Sequence, residues 1–150
     1  MNDNYSLIEL ELEEHGIHLS TTVGDSMYPM LRNRKDIIVL EKPGDRLKKY
    51  DVPLYKRPDG QYVLHRILKV SQEGYVICGD NRFRREYPVP HTWVIGVMRG
   101  FYRGEKYIDC NDFKYKCYVH LWCDLFYLRA FILLLKRFIR RSIRAIKNKR

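Results

Sequence analysis

Three short segments of this chain hold the residue types that hydrolytic chemistry needs. Gly24-Asp25-Ser26-Met27-Tyr28-Pro29 sets a small hydroxyl residue between a turn-forming Gly-Asp pair and a methionine. Val63-Leu64-His65-Arg66-Ile67 sets an imidazole inside an apolar, β-branched run, and Gly79-Asp80-Asn81 supplies a carboxylate. A serine hydroxyl is a poor nucleophile until a base stands within hydrogen-bond reach. Ser26 as nucleophile, His65 as general base and Asp80 as the carboxylate that orients the base therefore form a candidate triad. Triads are defined by geometry and role, so the order Ser…His…Asp is no obstacle. Each residue also has a plainer reading: Ser26 as a turn or cap, His65 as a satisfied interior histidine, Asp80 as a hairpin-turn residue.

The elements that must position these residues are mostly short strands. Leu7, Ile8, Leu10 and Leu12 alternate with Glu9, Glu11, Glu13 and Glu14. The alternation resembles a strand, but Leu and Glu favour a short helix, ending near Gly16. Residues 17–23 read as a strand feeding the Gly-Asp turn, which would expose Ser26 just past a strand end. Residues 36–40, 52–56, 61–70, 74–78, 92–98 and 106–109 read as further strands. Arg57-Pro58-Asp59-Gly60 is a hairpin turn, and 82–91 a charged loop with two prolines. Many short strands separated by turn residues argue a mainly β, antiparallel, barrel-like domain. In the run after the base, Arg66 would point to the opposite strand face from His65 and form a structural salt bridge. Met27 would pack beneath Ser26.

Near Tyr118 the period changes. Leu121, Leu125, Leu128, Ile132, Leu135, Ile139, Ile143 and Ile146 form one helical stripe, with basic residues on other faces. The chain carries a formal net charge of +10. Eight Lys/Arg and no acid lie from Lys136 onward, which leaves a net +2 for residues 1–135. That asymmetry gives an anionic partner to the tail rather than to the whole fold. Two units are expected, a catalytic domain over 1–110 and a basic amphipathic helical tail over 111–150. A basic helix with a wide apolar stripe fits interfacial binding to an anionic membrane surface. Docking on the β domain, a marginal span and nucleic-acid binding are the alternatives. Asp124 and Arg129 disfavour a span, and no nucleic-acid reader motif is present.

Residues 1–15 are acidic and lack the basic start and apolar run of an export signal. The expectation is a protein peripheral to the cytoplasmic side of a membrane, with its four cysteines as free thiols. Cys110, Cys117, His120 and Cys123 fit no standard zinc spacing, so buried small hydrophobes are the preferred reading and no metal or cofactor is expected.

The Gly24–Leu31 box, Leu64-His65-Arg66-Ile67, Gly79-Asp80-Asn81 and Val94-Ile95-Gly96, in that order, resemble the ordered boxes of signal peptidase I-like serine peptidases. The likeness covers about residues 17–105. It resembles the Ser/His branch, as in endoplasmic-reticulum signal peptidases, more than the Ser/Lys bacterial branch. The Gly-Asp-Ser-Met wording is also similar to related self-cleaving repressor proteases. The resemblance implies a serine endopeptidase in which Ser26 attacks, its N–H helps bind the oxyanion, His65 is the base and Asp80 supports it. Its substrate would be a signal-peptide-like or small precursor peptide. Three departures stand out. The family's frequent Ser two residues before the nucleophile is Gly24 here. Its Gly-Asp after the nucleophile box is Lys35-Asp36. Of the acidic residue often found after Gly-Asp-Asn, Glu86 is the nearby candidate. The missing hydroxyl motivates a second reading, a catalytically silent membrane-peripheral module. A self-cleaving regulator is a third, weakened because no DNA-binding domain precedes the boxes.

Overall fold

The computed structural model describes residues 6–147. The first five residues of the acidic leader and the last three of the basic tail lie outside the described residues. The fold is mainly β, a curled antiparallel half-barrel with helices at both ends. Helix α1 (Leu7–His15) starts at Ser6, whose N–H donates to Glu9 Oε2 at 3.1 Å. It stops at Gly16, whose φ of 72° lets its N–H reach back to Leu12 O. The Leu/Glu alternation is thus helical: Glu9 and Leu12 turn inward, and Glu9 bonds Lys56 and Tyr62 on the strands beneath.

The main sheet contains β1 (Ile17–Thr21), β2 (Asp36–Glu41), β3 (Pro53–Lys56), β4 (Tyr62–Leu64), β8 (Val94–Arg103) and β9 (Lys106–Asp109). Its order is β1-β2-β8-β3-β4, with β9 also on β8. The ten-residue β8 is the spine. One side pairs β2, and the other pairs β3 along its first half and β9 along its second. A second sheet contains β5 (Arg66–Val70), β6 (Tyr75–Cys78) and β7 (Glu86–Val89). One buried cluster joins Leu12, Met27, Leu31, Leu40, Leu54 and Phe101. Another, built on Tyr55, Ile67, Tyr75, Ile77, Val89 and Val97, joins the two sheets.

Three expectations change. The strand expected over 61–70 breaks at His65. Leu64 still pairs Leu54, but Ile67 pairs the main chain of Tyr50 and Asp51, and Arg66 pairs Cys78. The loop expected over 82–91 contains β7, held on β6 despite Pro88 because Arg57 grips Glu86 across the sheets (2.5 and 3.1 Å). The single helical stripe is two helices, α2 (Phe113–Asp124) and α3 (Phe126–Lys147). Between α2 and the first half of α3 the bend is 75°. Asp124 is held by Tyr50, Lys49 and His120 at the end of α2, and Phe126 turns inward just past it.

The 110/111 boundary is consequently no break in packing. Tyr115, Val119 and Cys123 of α2 belong to the first core cluster. Beneath α2 lies an ion pair with both partners 0% exposed. Arg66 Nε and Nη2 donate to the two Asp80 oxygens at 2.9 and 2.8 Å. Arg66 Nη1 donates to Tyr50 O and the Tyr115 hydroxyl, both at 3.0 Å, and Nη2 also rests on Met30 Sδ. All five guanidinium hydrogens are thereby placed. The salt bridge expected for Arg66 is present, and its partner is Asp80. Removing one member leaves the other charge buried alone. Asp80→Asn or Arg66→Met should therefore lower unfolding free energy by about 3–5 kcal/mol, measured by urea denaturation, whereas joint replacement by apolar residues should recover part of the loss.

Candidate active site

Ser26 sits in the loop after β1, half-buried, above the buried Met27. The loop is tied by its own main chain, with Tyr28 N–H on Asp25 O and Arg34 N–H on Thr22 O, and by Gly24 N–H on Asn33 Oδ1. It is then stapled to the segment after β6. Asn81 N–H donates to Ser26 O at 2.7 Å, Asn81 Nδ2 to Asp25 Oδ2 at 3.1 Å, and Arg82 Nη2 to Asp25 Oδ1 at 2.6 Å. The Arg82 guanidinium, against some opposing burial, holds the Asp25 carboxyl below its usual range.

His65 occupies the gap between β4 and β5, where the chain leaves one sheet for the other. Gly79 separates it from the nucleophile loop. A Cβ on Gly79 would lie 2.6 Å from Ser26 O and 3.1 Å from His65 Cδ2. Only glycine lets the serine segment and the imidazole approach this closely. The structure thus brings the Ser26 main chain and the His65 ring to either side of Gly79, with the Cδ2 edge of the ring toward that glycine and no hydrogen bond between the Ser26 hydroxyl and the imidazole.

The opposite edge of the ring faces Glu86. His65 Nδ1 is buried and lies 3.4 Å from Glu86 Oε1, within ion-pair range but without a formed hydrogen bond. Among the described residues, no other carboxylate comes within ion-pair range of His65. Asp80, the carboxylate expected there, is placed elsewhere. Arg66 occupies both its oxygens, the Tyr118 hydroxyl donates to Oδ2 at 3.1 Å, and the Trp122 indole donates to its main-chain oxygen at 2.8 Å. The physical reason is Arg66: a fully buried guanidinium needs a counter-ion, and Asp80 is the one within reach. Glu86 carried a sequence signal only as the acid after Gly-Asp-Asn, because its approach depends on β7 folding onto β6.

Glu86 itself is held down at about 2, first by His65, then by Arg57 and Tyr55, against the opposing effect of burial. A hydrogen bond from Nδ1–H to the ionised Glu86, formed by a small closure of this contact, would leave Nε2 free to accept a proton. Gly24, where a second oxyanion hydroxyl was missed, has a φ of 101°. That backbone suits glycine and would strain a serine.

A cavity of about 190 Å³ opens beside Ser26. Ser20 to Gly24 form its rim, and Leu31, Ile38, Leu40, Leu54 and Leu64 its apolar floor. It lies between the two ends of the curled sheet, where β1 and β4 each keep one unpaired edge. Lys35-Asp36, the departure from the resembling boxes, has a structural use. Asp36 is fully buried and receives the Arg32 guanidinium and N–H, with Arg103 alongside.

Among the described residues no group of His, Cys, Asp and Glu is arranged to hold a metal. All four cysteines are free. Burial pushes the Cys78, Cys110 and Cys123 thiols up to about 11, so they stay protonated at neutral pH. Comparison with known proteins finds no matching family model and no matching curated protein.

Because Glu86 is depressed, its stabilising contribution is complete above the ordinary carboxyl value of 4.5 and is lost as pH falls through about 2. Stability followed by urea titration should decline over that acidic window. Glu86→Gln should be less stable than the native chain at neutral pH and show a flatter decline, the two curves converging near pH 2.

Proposed function

We propose that this protein is a serine endopeptidase of the Ser/His type, similar to the signal peptidase I-like enzymes. It cleaves an extended segment of a signal-peptide-like or small precursor peptide. The observation that carries the reading is the close approach of the Ser26 main chain and the His65 ring across Gly79, with Glu86 on the far side of the ring. Two further features support it. The cavity beside Ser26, about 190 Å³, has an apolar floor under a polar rim and room for an aliphatic side chain, and an open strand edge lies beside it, the usual template for an extended peptide.

In this mechanism Ser26 Oγ attacks the scissile carbonyl while His65 Nε2 takes its proton. Glu86, beyond Nδ1, stabilises the imidazolium that forms. The Ser26 N–H donates to the oxyanion. His65 then returns the proton to the leaving amine. Water, activated by the same imidazole, hydrolyses the acyl-enzyme. The supporting carboxylate is Glu86, while Asp80 holds the loop that braces Ser26. No cofactor enters this scheme.

The glycine backbone at Gly24 favours one competing reading, a catalytically silent relative that keeps the fold without a hydroxyl donor for the oxyanion. A serine-reactive phosphonate separates the two. The enzyme reading expects covalent labelling that mass spectrometry maps to Ser26, absent in Ser26→Ala, whose melting temperature stays native. An unlabelled native protein would favour the silent relative. Cleavage by the native chain should fall on acidification, as a protonated imidazole cannot accept the serine proton.

Gly79→Ala tests the geometry apart from the chemistry. The added methyl collides with Ser26 O at 2.6 Å and crowds His65 Cδ2 at 3.1 Å. A displacement on the ångström scale should slow phosphonate labelling by about 100-fold, with both catalytic side chains still present. Labelling at the native rate would show that the close approach is dispensable.

A further inference from the structure

Helix α3 is built with its faces reversed relative to a helix that docks on a core. Near its base, the residues turned to the β domain are Phe126 and Arg129, 9% and 2% exposed. Arg129 Nη2 donates to Arg82 O at 3.4 Å and lies 3.9 Å from Cys78 Sγ, while its guanidinium covers the Phe126 ring. At 100° per residue the opposite sector holds Leu128, Phe131, Leu135 and Ile139. These four side chains are 47–64% exposed. The strongest apolar stripe in the chain thus faces away from the protein, and a cation anchors the helix.

The same helix has a chemical bias along its length. Past Arg129 every charged residue is basic, and from Lys136 the sequence carries eight Lys/Arg and no acid. Among the described residues no single helix is long and apolar enough to cross a membrane. The bent pair α2 plus the first half of α3 has the length, but α2 is committed to the core through Tyr115, Val119 and Cys123. What remains is a surface helix with an outward apolar stripe, in a stretch of sequence whose charges past Arg129 are all basic. That combination matches the interface of an anionic bilayer, where apolar side chains enter the acyl boundary and basic ones meet headgroup phosphates. A second copy of this chain is the poorer occupant. It would cover the apolar stripe but offer no counter-charge to the run of basic residues, which includes no acid.

We propose that α3 beyond Arg129 is a membrane-interface helix that seats the protein on anionic lipid through Leu128, Phe131, Leu135 and Ile139. Arg129 is the pin that sets its angle to the β domain. The stripe is exposed, so replacing it leaves the fold intact. The inference stands independently of the peptidase reading, since hydrolysis is not its readout.

The test is co-sedimentation of the full chain with vesicles of phosphatidylcholine, alone or with roughly one part in three phosphatidylserine, beside the variant Phe131→Glu/Leu135→Glu. Analytical ultracentrifugation and a thermal melt accompany both proteins. The expected result has three parts. The native chain sediments with the anionic vesicles and weakly with neutral ones. Added salt reduces binding only in part, because screening spares the apolar contribution. The variant keeps the native melting temperature and binds at least about tenfold more weakly. Absence of native binding to anionic vesicles would overturn the proposal. So would equal binding by the variant, which would leave unspecific charge attraction. A concentration-dependent dimer that the variant dissolves, without vesicle binding, would assign the stripe to a second copy. A large fall in the variant's melting temperature would assign it to packing within the protein.

Discussion

A single buried ion pair organises the parts of this protein that face the candidate site. Arg66 and Asp80 are both fully enclosed, and a charge so enclosed is tolerated only when partnered in full. Satisfying the pair draws together five separate pieces of chain. Arg66 opens β5, Asp80 lies in the segment after β6, Tyr115 and Tyr118 come from α2, and Tyr50 and Met30 come from two further loops. Helix α2 is therefore the roof over this pair, and Trp122 closes it by bonding the Asp80 main chain.

From that anchor, position passes to the proposed catalytic groups through short covalent steps. His65 precedes Arg66, so fixing the guanidinium fixes the strand break that presents the imidazole. Gly79 and Asn81 flank Asp80, so fixing the carboxylate fixes the contact with Ser26 O and the close approach at Gly79. The proposed nucleophile and base are thus placed by neighbours of one ion pair, not by a direct chain of side-chain bonds between them. The same segment reaches α3: Arg82 bonds Asp25 with its side chain and receives Arg129 on its carbonyl. The base of the basic helix and the serine loop therefore share a support.

Division of labour between two acids follows from desolvation. Asp80 neutralises a fully buried cation and has no capacity left for a histidine. Glu86 lies nearer the surface, keeps a partner in Arg57, and presents one oxygen toward His65. Two carboxylates close in sequence thus have different tasks, set by how deeply the neighbouring cation is buried.

The sequence by itself determined the local features. The helix stop at Gly16, the β1 strand leading into the serine loop, the 57–60 turn and the amphipathic pattern after Tyr118 are products of backbone preference and residue period. It also singled out Ser26 and His65, because a hydroxyl in a turn and an imidazole in a strand are local patterns. Only the tertiary structure decided which carboxylate stands beside His65, where the 61–70 strand breaks, that Glu86–Val89 joins a sheet, and that α2 belongs to the core while the α3 stripe faces outward. Each of those outcomes depends on charges and apolar faces distant in sequence. A strand register, a counter-ion and a buried face are all choices among partners, and the choice rests on the free energy of enclosing groups that the folded chain alone brings together.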